Sequence, residues 1–191
     1  PLLSTGWVWN SPTSLTVNLR KGIKFHNGAD FTARDVVYSA CRMMYRVDGK
    51  RNLLTSSMSP ISDVVEVDTH SVRFEMKNAY PLWIQKMKFL SMLSASGGDV
   101  PSGKITYDAE GNCGISSYPT RDDFENGDAA VGTGPFKHES YSKDSAVLVR
   151  NDAYWGEKSI WEGVEISSVS NSGARLAGLL AGDYDVIENP T

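Results

Sequence analysis

The sequence predicts an α/β fold of mixed sheets flanked by helices, and three observations carry that prediction. Leu15-Thr16-Val17-Asn18-Leu19 and Ser71-Val72-Arg73-Phe74-Glu75-Met76 alternate in polarity at the period of a strand. Val36, Val37, Ala40, Met43 and Met44 recur at the spacing of one helix face. Between Trp161 and Ile187, an alternating run, an Ala- and Leu-rich run and a β-branched run follow one another, which reads as strand, helix, strand.

In chain order, Leu15–Leu19 is the first expected strand and Ile23–Phe25 a short extended piece. His26-Asn27-Gly28 is a turn, because Asn-Gly supplies positive φ angles. Thr32 with Asp35 three residues on is a variant of the capping box, and Asp35 suits the positive end of the helix that follows. That helix should end near Arg46–Asp48, before Gly49. Ile61–Val67 and Ser71–Met76 form a hairpin about Asp68-Thr69-His70, with Val72, Phe74 and Met76 on one face. Tyr80-Pro81 opens a second helix, since proline fits the first turn, and Phe89–Leu93 is a short strand or a helix end. Ser94–Gly114 is the longest loop, and loops of that length are usually functional or mobile.

Pro119–Asn126 can form a short helix capped by Thr120. Phe136–Tyr141 and Ser145–Arg150 form a second hairpin about Ser142-Lys143-Asp144. Asn171 or Ser172 caps the helix ending at Ala181, Gly182 terminates it, and Tyr184–Ile187 is the next strand.

Composition narrows function. The 191 residues are 40% hydrophobic and 22% charged with a net charge of −4, so a sizeable core is available and no basic field favours nucleic acid. No apolar run approaches the ~20 residues of a membrane helix. Pro1-Leu2-Leu3 lacks the basic and apolar regions of a signal peptide, and the chain reads as a trimmed piece. Cys41 on a helix and Cys113 in a Gly-rich loop make no disulfide framework. A bridge between them is left open, beside a buried Cys41 and an exposed or paired Cys113. His26, His70 and His138 lack metal-ligand spacing, and no cofactor is expected.

No catalytic cluster appears. His26 stands by a tight turn with no neighbouring nucleophile, so a structural hydrogen bond outweighs a general base. Gly132-Thr133-Gly134 lacks the Gly-Lys-Ser/Thr ending of a phosphate loop, and Pro135 blocks the helix a dinucleotide fingerprint needs. A strained turn feeding a strand explains it better, with the Thr133 hydroxyl free to serve backbone groups. Ser94-Ala95-Ser96-Gly97-Gly98 is no nucleophile elbow. Asp122, Asp123 and Glu125 read as a solvated helix face. The five tryptophans could line a cleft, although core or turn anchoring outweighs that for Trp155 and Trp161.

Leu15 through Gly28, with Arg20-Lys21-Gly22-Ile23-Lys24-Phe25-His26-Asn27-Gly28 at its end, and then Phe31-Thr32-Ala33-Arg34-Asp35-Val36-Val37-Tyr38-Ser39 closely resemble the signature of the family 5 extracellular solute-binding proteins. So do Val131-Gly132-Thr133-Gly134-Pro135-Phe136, then Arg150-Asn151-Asp152-Ala153-Tyr154-Trp155-Gly156, and then Ala174–Val186, in the family order. The resemblance implies a piece of a two-lobed, type II periplasmic-binding-protein-like fold with an extra inserted domain. Residues 1–130 would be that inserted domain with a preceding segment, and 131–191 part of the first lobe. The N-terminal strand of that lobe, the second lobe and the returning C-terminal segment would lie outside the chain.

The resemblance also implies an extracytoplasmic, periplasmic or cell-surface monomer that captures a small molecule or peptide for a membrane ABC permease, without catalysis. Gly28, Asp35, Gly132, Thr133, Gly134, Pro135, Tyr154, Trp155 and Gly182 would be structural motif residues, and most ligand contacts would come from the absent lobe. Tyr80, Trp83, Met92 and Ser94 are the ligand-contact candidates within the chain. Receptors for nickel complexes, sugars or opines are alternatives. A peptide or amide hydrolase is another, but Ser96 with His26 or His138 forms no recognisable constellation.

Overall fold

The computed structural model describes residues 3–44, 57–97, 100, 105, 113–115 and 117–189. β1 (Ser4–Ser11) and β2 (Ser14–Leu19) form a hairpin, followed by α1 (Ala33–Met44). A second hairpin joins β3 (Ile61–Asp68) and β4 (Ser71–Met76). These four strands make one antiparallel sheet in the order β1-β2-β4-β3. Short helices α2 (Trp83–Lys86) and α3 (Arg121–Glu125) lead to β5 (Phe136–Tyr141), β6 (Ser145–Arg150) and β7 (Gly163–Ser167). These three form a second antiparallel sheet in chain order, and α4 (Ser172–Ala181) follows.

The core belongs to the first sheet. Alternation sends Leu15, Val17 and Leu19 of β2 and Val72, Phe74 and Met76 of β4 to one buried face. α1 covers that face with Val36, Val37, Ala40 and Met43. Cys41 of the same helix is buried too and is joined by a disulfide to Cys113. Ile105 and Cys113 are core residues, so at these points the Ser94–Gly114 stretch is a wall of the core rather than a surface loop.

Local signals place the helix ends. The Thr120 side chain accepts from the Asp123 N–H while the Asp123 carboxylate accepts from the Thr120 N–H, a complete capping box. Asn171 accepts from the Ala174 N–H at 2.9 Å, and Gly182 takes φ +83° to end α4. At α1 the half of the box that forms is the reverse one, with the Thr32 N–H and hydroxyl both donating to Asp35. The expected end of α1 near Arg46–Asp48 lies outside the described residues.

Several expectations need correction. β1 has no counterpart in the sequence reading. In the 26–28 turn only Gly28 has positive φ, while the Asn27 side chain accepts from the Ala29 N–H. Neither Gly132 nor Gly134 has positive φ, so this turn does not use the left-handed region open to glycine. Tyr184–Ile187 forms no ladder, because a strand needs a hydrogen-bonding neighbour and none of the described residues supplies one. The second helix begins at Trp83 rather than at Tyr80-Pro81, and residues 87–89 form a 3-10 turn.

Candidate functional site

Three sequence segments meet where the two sheets join. The 132–135 stretch is a strip of backbone acceptors, and each carbonyl has a partner. Gly132 C=O accepts the His26 N–H at 2.8 Å, and Thr133 C=O accepts the Trp155 indole N–H at 3.1 Å. Gly134 C=O is shared by His26 Nε2 and Asn151 Nδ2, each at 3.1 Å, and Pro135 C=O accepts the Asn151 N–H. The Gly132 N–H in turn donates to His26 Nδ1 at 3.2 Å. Thr133 therefore acts here through its carbonyl.

This wiring fixes the His26 tautomer. Nδ1 accepts a hydrogen bond from the Gly132 N–H, so Nε2 carries the hydrogen it donates to Gly134 C=O. Burial lowers the pKa of the ring from 6.5, the bond to Gly134 opposes that, and Lys137 adds to the lowering. Asn151 is 5% exposed and spends its side chain on Gly134 and on the Ala153 N–H. Trp155 stacks against Tyr154 with centroids 5.1 Å apart, and the Arg20 guanidinium lies 5.4 Å from the Trp155 ring centre. Next in the same turn, Lys158 and Arg150 both bind Asp152 and hold its carboxyl down at about 2.

Beside this seam lies a cavity of about 400 Å³. Its walls are apolar: Leu19, Phe74, Leu90, Met92, Pro135 and Trp155 among them. A second, more polar cavity of about 240 Å³ is bordered by Asn27, Tyr38, Ser94 and Asp128.

The four ligand-contact candidates do not converge. Trp83 is 1% exposed with its ring 5.5 Å from Phe74, a position in the core of the first sheet. Helical spacing identified a buried face, and that face looks inward. Tyr80 is half-buried against the core, and its C=O receives the Trp83 N–H. Met92 borders the apolar cavity and Ser94 the polar one, where its hydroxyl bonds Ser96 at 2.7 Å. Among the described residues no group of His, Cys, Asp and Glu is arranged to hold a metal ion.

The seam residues fall within sequence segments shared with known proteins. The family model for bacterial extracellular solute-binding proteins, family 5 Middle, matches residues 1–191. The chain belongs to that family. It is 28% identical to the heme-binding protein A of Haemophilus influenzae, with all of this chain and 35% of that protein aligned. It is also 28% identical to the dipeptide-binding protein of Escherichia coli, over all of this chain and 36% of that one. The family 5 chain thus spans about a third of the length of the relatives it matches.

Solved structures agree. The dipeptide-binding protein of Pseudoalteromonas sp. SM9913 in complex with Met-Leu superposes with a TM-score of 0.71 at 25% identity, covering 96% of this chain and 37% of that one. NikZ of Campylobacter jejuni in complex with Ni(L-His) gives a TM-score of 0.74 at 18% identity, covering 96% and 33%. The fold is therefore part of a type II periplasmic-binding-protein fold, in the α/β class. Family 5 is a family of extracytoplasmic transport receptors, and no helix among the described residues is long and apolar enough to cross a membrane.

The His26 wiring has a pH consequence. Protonating Nδ1 would set a donor against the Gly132 N–H. A histidine whose folded pKa lies below its unfolded 6.5 gives its full stabilisation above 6.5 and loses it as pH falls through the lowered value. The melting temperature of the full-length protein should therefore drop on acidification from pH ~7.5 to ~5. His26→Gln keeps an acceptor and a donor but cannot titrate, so its profile should be flatter across that window. Parallel profiles would remove His26 from the pH response.

Proposed function

We propose that this chain is the middle part of an extracytoplasmic receptor that captures peptides for an ABC permease and catalyses nothing. The observation that carries this reading is the family match over the whole chain, with dipeptide-binding proteins among the relatives at 28% and 25% identity. The organisation supports it: at the seam His26 bonds backbone, and Arg150 and Lys158 pair with Asp152. Capture by closure of two lobes is a population shift, in which bound solute favours the shut form. Within that receptor, residues 1–130 are the inserted domain and 131–191 part of the first lobe, a division supported by the two separate sheets. The receptor works as a monomer in the periplasm or at the cell surface. Nickel complexes are the second reading, favoured by the likeness to NikZ.

Calorimetry on the full-length protein with Met-Leu and other dipeptides, and separately with Ni(L-His), tests the ligand class. Saturable micromolar or tighter binding of dipeptide is expected, and a hundredfold excess over Kd should stabilise the protein by about 2.7 kcal/mol. Peptide recovered by mass spectrometry should be intact; cleavage products would replace the receptor reading with the hydrolase. Binding of Ni(L-His) without dipeptide binding would move the receptor to the nickel class. Residues 1–191 alone should bind neither, since most contacts lie in the absent lobe.

A further inference from the structure

The wiring of the seam explains the 132–135 carbonyls but leaves the apolar cavity of about 400 Å³ beside it without a role. A space of that size is within the range that takes a small organic molecule. Its walls come from three directions. Leu19 of β2 and Phe74 of β4 close it from the first sheet, Leu90 and Met92 from the segment after α2, and Pro135 and Trp155 from the seam. Leu19, Phe74 and Leu90 are all buried, so the space cuts into the core.

The chemistry of the lining is apolar with charge of one sign. Among the described lining residues Lys88 is the one that carries charge, and no aspartate, glutamate or histidine takes part. Lys88 is exposed, and its ammonium lies 4.9 Å from the centre of the Phe89 ring. A second cation, Arg20, lies 5.4 Å from the centre of the Trp155 ring. The Trp155 N–H is committed to Thr133 C=O, so what the indole offers an occupant is apolar ring surface. Met87 and Met92 add unbranched, polarisable side chains that adapt to the shape of whatever enters. Water gains little in such a space, since it needs several polar partners, whereas apolar groups gain from entering it. Positive charge at the border favours an anionic end on the same molecule.

We propose that this cavity binds a small amphipathic anion, an apolar chain ending in a carboxylate. The chain lies against Leu90, Met92 and Trp155, and the carboxylate stays at Lys88, where water still reaches it. A cationic amphiphile of the same length gains the same apolar contacts but meets Lys88 with the wrong charge. A neutral one gains the contacts without the charge.

Decanoate, used below its micelle concentration on the full-length protein, tests this, with decanol and decyltrimethylammonium as the neutral and cationic probes of equal chain length. Calorimetry should show saturable binding of decanoate and weaker binding of decyltrimethylammonium. Lys88→Gln should weaken decanoate roughly 3- to 5-fold, the effect of losing one solvated ion pair, and spare decanol. Tryptophan fluorescence should change as decanoate binds, and the change should be lost in Trp155→Phe. Absence of saturable decanoate binding would show that the cavity is closed or filled in the whole protein and would overturn the proposal. So would equal weakening of decanoate and decanol by Lys88→Gln, or a fluorescence change that survives Trp155→Phe. Displacement of decanoate by a dipeptide would assign the probe to the peptide site and overturn it as well. The decanoate readouts do not require that a dipeptide binds, so failure of peptide capture leaves them intact.

Discussion

Breaking the Cys41–Cys113 disulfide is expected to destabilise the protein by about 4 kcal/mol, the value loop-closure entropy gives for a separation of 72 residues. Both cysteines are buried, at 1% and 5% exposure, so their thiols have no solvated position to relax into once the bond is cut. The bond fastens α1 to Cys113, and Ile105 is buried in the same core. Urea unfolding of the full-length protein with and without reductant, and of the Cys41→Ser/Cys113→Ser double variant, gives the measurement. A shift below ~1 kcal/mol in both would mean that the reduced chain already holds this arrangement. The bond also agrees with an extracytoplasmic family, since such compartments preserve disulfides.

The sequence could not decide this pairing, because a contact across 72 residues depends on how the core closes and not on any local pattern. What was legible was local. Thr120 and Asp123, Asn171 and Gly182 declare their helix ends within four residues, and the hairpins at 68–71 and 142–145 declare themselves by alternation around polar turns. β1 was not legible. It is an edge strand whose Trp7 and Val8 are both largely exposed, so its composition does not alternate cleanly and its pairing with β2 settles it. Tyr184–Ile187 shows the opposite case, a sequence with strand character that forms no ladder among the described residues.

The seam was half legible. The Gly132–Pro135, Tyr154-Trp155 and His26 segments stand out as motifs, and a structural hydrogen bond was the better reading of His26. That all three converge on one strip of carbonyls is a tertiary fact. Asn151, which holds two of those carbonyls, looks in sequence like one more polar turn residue. The ligand-contact candidates were chosen on helical spacing, which does not by itself separate core from cleft. Spacing marks which side of a helix is apolar, and Trp83 shows that such a side belongs to the core before it belongs to a cleft.

Asp35→Ala should cost about 3 kcal/mol, more than the loss of a helix cap explains. Asp35 is 4% exposed, and its carboxylate accepts from Thr32 N–H at 2.7 Å, Thr32 hydroxyl at 2.9 Å and, 60 residues away, Ala95 N–H at 2.8 Å. One turn on, Ser39 accepts the Leu93 N–H at 2.9 Å and gives its own hydroxyl proton to Asp35 C=O. The start of α1 is thus both a helix end and the docking strip for residues 93–95. Truncating Asp35 strands two backbone donors, the Ala95 N–H buried and the Thr32 N–H half-buried, and a buried donor left unpaired costs about 1–3 kcal/mol. It also removes a negative charge from the positive end of the helix. Asp35→Asn should recover part of the loss, because its oxygen can still accept from Ala95 while its NH₂ meets the Thr32 donors. Ser39→Ala removes the Leu93 acceptor and the hydroxyl donor to the Asp35 carbonyl, and should cost about 1 kcal/mol. Exchange rates separate docking from capping: in Asp35→Ala the Leu93 and Ala95 amides should lose protection together. If only the first turn of α1 loosens, Asp35 is a cap and nothing more.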